Sequence, residues 1–288
     1  FAAHRGHLDI IKWARAQNPP CPLNPEVCSQ AARNGHLDVL KWLRTQYPES
    51  CDWDEYVCAN AAENGHLEIL EWARAQSPPC MWDNSVTALA AKNGHVNILK
   101  WTHAQEPCAP MNEFIYSHAC ENGHLDVLKW CSSLRPPLKR CPHMCTDAAR
   151  NGHVHIIKWL RAQNPPAEWD VHFMIEAARS GRLELLKFAR AQSPPCDWDA
   201  RVCKAAADTG NFKILQWLRA QDPPCDWNSD VCARAAEHGY LDMLKWARSQ
   251  NPPCGWDAGG GINAASRGDL DLLKWARAQE PPCDWDHY

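Results

Sequence analysis

The hydrophobic positions of the chain follow a pattern that recurs about every 29 residues and contains two amphipathic segments. Residues 199–210 represent the first segment, in which Val, Cys and paired Ala residues have the i, i+3, i+4 spacing of one helix face. An Asp at its start is suited to cap the helix, because its carboxylate can accept a free amide hydrogen of the first turn. The pattern predicts a short helix, here called helix A.

A second amphipathic segment follows each helix A and is represented by residues 37–44. Its predicted apolar face consists of Leu37, Leu40 and Trp42 or Leu43. Its predicted outward face consists of Asp38, Lys41 and Arg44. A Pro-Pro pair ends most of these segments, since proline lacks the amide that a helix needs. This segment is predicted to be a second helix, helix B.

The repeat is defined by a glycine between helix A and helix B. The ten glycines are Gly6, Gly35, Gly65, Gly94, Gly123, Gly152, Gly181, Gly210, Gly239 and Gly268. Nine intervals follow, eight of 29 residues and one of 30, and the extra residue falls in the loop at residues 47–50. The loop therefore absorbs the insertion without disturbing the flanking helices.

Two helices of about ten residues cannot bury their apolar faces alone, so consecutive repeats must stack on each other. The sequence predicts an all-α helical-repeat solenoid that forms a single domain over residues 1–288, with about ten repeats. Because the chain opens and closes within a repeat, we expect it to be part of a longer polypeptide.

The segment Ala31-Ala32-Arg33-Asn34-Gly35-His36 and its counterpart at 148–153 resemble the helix-turn-helix centre of the ankyrin repeat. The variant looks like the short Trp- and Cys-rich ankyrin-like repeats of protists and large DNA viruses. Two departures are visible: Tyr56-Val57-Cys58-Ala59 stands in place of the family's Thr-Pro-Leu-His, and the period is about four residues short. The resemblance implies a protein-binding function with reduced or absent β-hairpin fingers.

The charge balance gives no reason to expect a polyanionic partner. The chain has 30 basic and 34 acidic residues, a net charge of −4, and no apolar run of the roughly 18 residues that span a bilayer. We therefore expect protein partners, within a larger complex, with no nucleic acid and no membrane span. Nothing in the sequence indicates homo-oligomerisation.

Among the sixteen cysteines, C-x6-C pairs occur at Cys21/Cys28, Cys51/Cys58, Cys196/Cys203 and Cys225/Cys232. This spacing is wider than that of structural zinc sites, and the nearby histidine position is often occupied by another residue. Pairing is also incomplete, since Cys80 is matched with Thr87. We expect no metal and mostly buried free thiols, in a reducing intracellular compartment such as the cytoplasm.

Histidines begin many of the helices B: His7, His36, His66, His95, His124 and His153. Because the same residue recurs at the same repeat position, a role in the turn is favoured over catalysis. No catalytic set or phosphate-binding loop stands apart from the periodicity. The sequence predicts a chain that is not an enzyme and has no cofactor.

Helix B also carries a basic row, which supports an alternative function in polyanion or nucleic-acid binding. Its lysines are Lys12, Lys41, Lys100, Lys129, Lys158, Lys187, Lys245 and Lys274. Its arginines are Arg15, Arg44, Arg74, Arg161, Arg190, Arg219, Arg248 and Arg277. Acidic residues one turn earlier are expected to pair with the lysines and to make this face self-neutralising.

Positions that vary between repeats are the ones able to encode a particular partner. They lie on helix A, nine and five residues before the glycine, and helix A lines the concave surface of ankyrin-like stacks. The predicted partner-binding residues are Tyr56, Asn60, Leu89, Phe114, His118, His143, His172, Ile175, Arg201 and Arg234. The sequence therefore favours a protein-interaction scaffold or structural subunit that binds through this face.

Overall fold

The structure, a computed structural model, describes residues 1–24, 26–48, 55–136, 138, 140–255 and 265–279. These residues form eighteen α-helices, and no strand occurs among them. The helices A are α2 (Val27–Arg33), α4 (Glu55–Glu63), α6 (Asn84–Lys92), α8 (Phe114–Asn122), α10 (Met144–Arg150), α12 (Val171–Arg179), α14 (Ala200–Asp208) and α16 (Ser229–His238). The predicted all-α fold is confirmed.

The helices B are the remaining ten elements. They are α1 (Leu8–Arg15), α3 (Leu37–Gln46), α5 (Leu67–Arg74), α7 (Val96–His103), α9 (Leu125–Ser133), α11 (Val154–Arg161), α13 (Leu183–Arg190), α15 (Phe212–Arg219), α17 (Leu241–Ser249) and α18 (Leu270–Arg277). Helices A and B alternate along the chain, as the sequence pattern predicts.

The chain divides into two compact units, Phe1–Met144 and Cys145–Tyr288. In the first unit the helices A pack in sequence, α2 on α4, α4 on α6 and α6 on α8. In the second unit α12 packs on α14, and α14 on α16. Each of these helices also packs against the helix B of its own repeat. This stacking of helix pairs is that of a helical-repeat solenoid, while a single domain over 1–288 stays a prediction.

The core of each repeat combines small residues of helix A with branched residues of helix B. In one repeat Ala61, Ala62, Ile69 and Leu70 are all buried. Alanine leaves room for neighbouring helices A to approach closely, and the larger aliphatic side chains fill the space between the two helices. The core is therefore continuous from one repeat to the next within a unit.

The buried face of helix B is rotated slightly from the predicted one. In α3 the buried residues are Val39, Leu40 and Leu43, whereas Leu37 and Trp42 are half-buried. The predicted buried face was thus wrong because it left out Val39, which stands next to the charged Asp38 in the sequence. Tryptophan lies at the edge because its ring packs against aromatic groups outside the aliphatic core.

Side-chain caps begin several helices A as predicted. Asp83 Oδ1 accepts a hydrogen bond from Ser85 N at 2.9 Å, and Asp170 Oδ1 accepts from His172 N at 2.9 Å. Asn112, Asp199 and Asn228 cap in the same way. Two further predicted caps, Asp54 and Asp257, lie outside the described residues. These bonds satisfy amides that would otherwise lack a helical partner.

Histidines at the start of helix B connect successive repeats. Each Nε2 donates to a backbone carbonyl of the repeat before its own, two residues before that repeat's glycine: His36 to His4 O (3.2 Å), His66 to Arg33 O (3.2 Å), His95 to Glu63 O (3.1 Å) and His124 to Lys92 O (2.9 Å). Such carbonyls have no partner within their own helix. The geometry supports the structural role that the repetition of these histidines predicts.

Candidate functional site

The outward positions of helix A form the candidate binding surface, here called the helix A face and defined as the positions nine residues before each repeat glycine. In the first unit Tyr56 is 61% exposed and Phe114 is 57% exposed. Both occupy the same repeat position and follow the loop that leads into helix A. A large apolar ring at such a position has no core to fill and is available for contact.

The predicted site residues five positions before the glycine are less accessible than expected. Asn60, Leu89 and His118 are half-buried, and Ala205 at the same position in another repeat is buried. The two positions were predicted to lie together on one outward face, and the second position is more buried than the first. Neighbouring helices A pack side by side, which reduces the exposure of this position.

In the second unit the predicted site residues are mostly charged and paired with neighbours. His172 Nδ1 lies 3.0 Å from Asp170 Oδ2. Arg201 Nη2 donates to Asp199 Oδ2 at 2.8 Å. These pairs hold exposed side chains in one orientation on the helix A face, so this part of the surface is polar and ordered by its own contacts.

Two other predicted residues of the second unit have less room to bind. Arg234 lies between two carboxylates, with Nε 3.2 Å from Asp208 and Nη1 2.5 Å from Glu237. Ile175 is half-buried. The predicted residue His143 belongs to the first unit; it is exposed and directly precedes the first residue of α10. The predicted set therefore divides into exposed side chains and side chains engaged within the molecule.

The capping carboxylates titrate below their usual range. The pKa of Asp199 is lowered, chiefly by the hydrogen bonds from the Arg201 side chain. For Asp170, burial acts to raise the pKa, but the hydrogen bonds from the His172 side chain and from the amides of Phe173 and His172 lower it overall. Both carboxylates are therefore held in the charged form that the helix start favours.

Met81 is an exposed apolar residue that the sequence analysis missed. It is 67% exposed and lies in the loop before α6. A signal was available, because the corresponding position of other repeats is Asp, as in Asp197 and Asp226. Like Tyr56 and Phe114, it belongs to the first unit, whose surface near the starts of the helices A thus carries three exposed apolar groups.

The arginines of helix B do not lie on an outward basic ridge. Arg219 Nη1 donates to the carbonyl of Cys225 at 2.6 Å, and its guanidinium lies 4.3 Å from the centre of the Trp227 ring. The same two contacts recur for Arg74, Arg161 and Arg190. Because the long side chain reaches the loop that leads into the next repeat, these four arginines are half-buried and structural, whereas Arg277 is exposed.

The lysines of helix B remain on the outward face. All eight are exposed: Lys12, Lys41, Lys100, Lys129, Lys158, Lys187, Lys245 and Lys274. The predicted pairing with acidic residues one turn earlier is wrong in this structure, since none of the ion pairs within 4.0 Å in the described part of the chain involves these lysines. Exposed charges of this kind are well solvated and gain little from pairing.

Most cysteines are buried thiols. Thirteen of the described cysteines are outside disulfides, and ten of these are buried, including Cys131, Cys145 and Cys203. Cys28 is disulfide-bonded. Burial raises the pKa of Cys131 to about 12 and that of Cys145 to about 12. A thiol with such a pKa is protonated and unreactive at neutral pH.

Within the described ranges, no group of three or more His, Cys, Asp or Glu side chains is placed to hold a metal ion. No helix in these described ranges is both long and apolar enough to cross a membrane. The fold defines a helical-repeat protein, and its outward features include the exposed rings of the helix A face and the eight exposed lysines of helix B, here called the lysine row.

The family match agrees with this class. The model described as "Ankyrin repeats (many copies)" matches residues 116–161. This segment runs from α8 to the end of α11 and contains the turns at Gly123 and Gly152. The resemblance to ankyrin repeats stated from the sequence is confirmed. No protein in the curated collection matches the chain.

Two similar solved structures are complexes of the pentatricopeptide repeat protein PPR10 with an 18-nt psaJ RNA element, one of them with a triple Cys-to-Ser variant. In both cases the identity is 10% and the TM-score 0.36, with 96% of this chain and 52% of the other covered. The chain thus spans about half the length of these proteins. The expectation that nucleic acid is excluded as a partner is overturned, because helical-repeat proteins similar to this chain are complexed with RNA. A likeness with a TM-score of 0.36 assigns no RNA to this chain.

Proposed function

We propose that this chain is a protein-binding repeat scaffold whose main contact surface is the helix A face of the first unit. The observation that carries the proposal is the exposure of Tyr56 and Phe114, at 61% and 57%, at one repeat position. The residues that follow them in their helices, such as Val57 and Ile115, are completely buried. The exposed rings are thus fixed on well-packed helices.

Fixed aromatic groups are effective anchors for a protein partner. A Tyr or Phe ring buries a large area and has few torsions to immobilise, so contact gains more than it loses in side-chain entropy. Met81 adds an adaptable apolar group in the same unit. The half-buried Asn60, Leu89 and His118 would then form the border of the contact area.

In the second unit the helix A face would contribute selectivity more than affinity. Arg201 and His172 are exposed but tied to Asp199 and Asp170. A partner group that replaces these pairings must match their charge pattern, because an unmatched buried charge is costly. Ile175 and Arg234 would add contacts at the edge. This function requires neither a catalytic residue nor a cofactor, and it suits a reducing compartment.

The experiment is a binding measurement with matched variants. The unsubstituted chain captures candidate partners, and the affinity of each purified candidate is then compared with that for Tyr56→Ala/Phe114→Ala and for Lys41→Ala/Lys100→Ala. The aromatic variant should bind about 30-fold more weakly, which corresponds to about 2 kcal/mol. The lysine variant should bind within about 3-fold of the unsubstituted chain, and both should keep its helicity and melting temperature.

A second candidate function is polyanion binding through the lysine row. It is favoured because these lysines are exposed and form no ion pair within the described residues. Binding of this kind weakens steeply with salt because each phosphate contact releases counterions. If Lys41→Ala/Lys100→Ala abolished binding and the aromatic variant did not, the helix A face would be the wrong surface and the lysine row the working one.

A further inference from the structure

Cys203 and Cys225 approach each other across a repeat. Cys203 lies in α14, and Cys225 lies in the loop that follows α15 and leads into the next repeat. The Cys203 thiol is 3.8 Å from the carbonyl oxygen of Cys225, and the Cys225 thiol is 3.3 Å from that of Asp199. The two thiols are also within hydrogen-bond reach of each other. Both residues are completely buried.

The next repeat contains the same arrangement. Cys232 in α16 has its thiol 3.9 Å from the carbonyl oxygen of Cys254, and the Cys254 thiol is 3.3 Å from that of Asn228. These two thiols again share a hydrogen bond. In both cases the helix A cysteine precedes the loop cysteine by 22 residues. The spatial partners therefore differ from the C-x6-C neighbours in sequence.

Cys58 and Cys80 occupy the same two positions in a repeat of the first unit and are both buried, whereas two repeats of the chain have a single cysteine at this junction. Cys145 occupies the helix position, but the loop position 22 residues later is Ala167. Cys196 occupies the loop position, and its thiol lies 3.4 Å from Asp170 O, but the helix position is Met174. These two cysteines are internal controls with the same surroundings and no thiol at the matching position.

An independent observation shows what the helix position can do. Cys28 lies seven residues before its repeat glycine, as Cys203 and Cys232 do, and it is disulfide-bonded. Cys51, at the corresponding loop position of that repeat, lies outside the described residues. The helix A cysteine is thus compatible with a disulfide in this fold.

The hydrogen bond between the thiols also favours one of them as the nucleophile. The bond from Cys232 lowers the pKa of Cys254, whereas the bond to Cys225 and burial raise the pKa of Cys203. In the second pair the loop thiol of Cys254 is therefore easily ionised, and in the first pair the helix thiol of Cys203 retains its proton. A thiolate is the attacking species in disulfide exchange.

We propose that Cys203/Cys225 and Cys232/Cys254 are two dithiol–disulfide couples that respond to low-molecular-weight disulfides such as oxidised glutathione. The loop thiolate attacks the small disulfide, which releases one small thiolate and leaves a mixed disulfide. The helix thiol then loses its proton and displaces the second small thiolate. Each protein pair loses two electrons and two protons, and one small disulfide becomes two small thiols.

Because both sulfurs are buried, exchange requires a transient opening of the Pro-Pro loop. Once formed, each disulfide would join helix A to the loop that leads into the following repeat. The link closes a short segment and disfavours separation of the two elements, so the oxidised second unit would be more resistant to unfolding. The reduced form would be the more easily opened one.

The test is a disulfide map of the full chain. The reduced chain is incubated with excess oxidised glutathione, quenched with acid, alkylated and digested with trypsin and a protease that cleaves before Asp. Cleavage before Asp226 and Asp230 separates Cys225 from Cys232. The expected products join Cys203 to Cys225 and Cys232 to Cys254, while Cys145 and Cys196 remain alkylated thiols.

A melting experiment gives a second measurement. Oxidation should raise the melting temperature of the unsubstituted chain by about 5 °C. Cys225→Ala/Cys254→Ala, which reproduces the alanine found at Ala167, should lose the part of this increase that these two pairs supply, whereas Cys145→Ala should retain the full increase. Links between Cys225 and Cys232, equal oxidation of Cys145 and Cys196, or mixed disulfides alone would overturn the proposal. If the double variant does not fold, the map of the unsubstituted chain decides.

Discussion

The Nε2 of His66 donates a hydrogen bond of 3.2 Å to the backbone carbonyl of Arg33 in the preceding repeat. That carbonyl lies at the end of α2, where the helix offers no amide to it. A similar contact is made by an asparagine elsewhere, since Asn211 Nδ2 donates at 3.1 Å to Ala178 O, one residue before the position that corresponds to Arg33. The role therefore belongs to a donor of suitable reach and does not require imidazole chemistry.

The first prediction concerns this inter-repeat bond. His66→Ala should lower the free energy of unfolding by about 1 kcal/mol, because the Arg33 carbonyl loses its partner. His66→Asn should lower the free energy of unfolding by about half as much, because Asn211 makes a similar bond naturally. Urea denaturation at pH 8 measures both. Equal losses in the two variants would show that packing of the ring, and not the hydrogen bond, is what matters.

The second prediction concerns the turn glycine beside that histidine. Gly35 has φ of +81°, and an added Cβ would lie 2.7 Å from Cε1 of His66. Gly35→Ala should therefore destabilise the chain by about 2 kcal/mol or more, since backbone strain and a steric clash add. Gly268→Ala is the matched control, because Gly268 has φ of +70° with no atom within 4 Å of the added Cβ.

In the control only the backbone strain applies, so Gly268→Ala should cost about 1 kcal/mol. Thermal denaturation of the two variants in parallel gives the comparison. Similar losses at both positions would mean that the His66 ring moves aside without cost. That result would contradict the tight inter-repeat contact inferred from the geometry.

The third prediction separates the arginines of helix B from the lysines. Arg219→Lys should lower the free energy of unfolding by about 1 kcal/mol, because lysine cannot donate to the Cys225 carbonyl while stacking on Trp227. Lys245→Ala, on the exposed face of α17, should change it by less than about 0.5 kcal/mol. Chemical denaturation distinguishes the two, and a larger effect at Lys245 would refute the assignment.

The fourth prediction follows from the lowered pKa of Asp199. A carboxyl group with a lower pKa in the folded state binds fewer protons there, so its contribution to stability is present above the usual pKa of 3.8 and is lost as the pH falls through the folded value. Asp199→Asn keeps a capping oxygen, as Asn228 does naturally. At pH 6 the unsubstituted chain should therefore have a higher melting temperature than this variant. Near pH 2 the two melting temperatures should be equal. A difference that persisted at pH 2 would contradict the charge-based explanation.

The period, the two helices and the capping residues could be predicted from the sequence because each depends on local contacts. Proline and glycine mark helix ends through their own backbone limits, and an Asp cap acts within one turn, as Asp83 does on Ser85. The exposed positions of Tyr56 and Phe114 also follow from helical periodicity. These parts of the candidate site needed no tertiary information.

The errors arose where a side chain reaches beyond its own repeat. A helical wheel places Arg219 beside the outward lysines, but it contains no information about a carbonyl in the following loop. Similarly, spacing along the chain paired Cys196 with Cys203, whereas the fold brings Cys225 to Cys203. Such contacts depend on the distance between stacked elements, which the pattern of one repeat does not specify.

The histidine contacts between repeats recur at equivalent positions along the chain, as the bonds from His66 to Arg33 and from His95 to Glu63 illustrate. Each repeat thus donates to the one before it and accepts from the one after it, through the same atoms. A gene segment that encodes 29 residues can therefore be duplicated or deleted without changing the period. The two repeats that become neighbours would still have complementary contact positions. Array length is then free to vary by recombination, independently of the residues that select a partner.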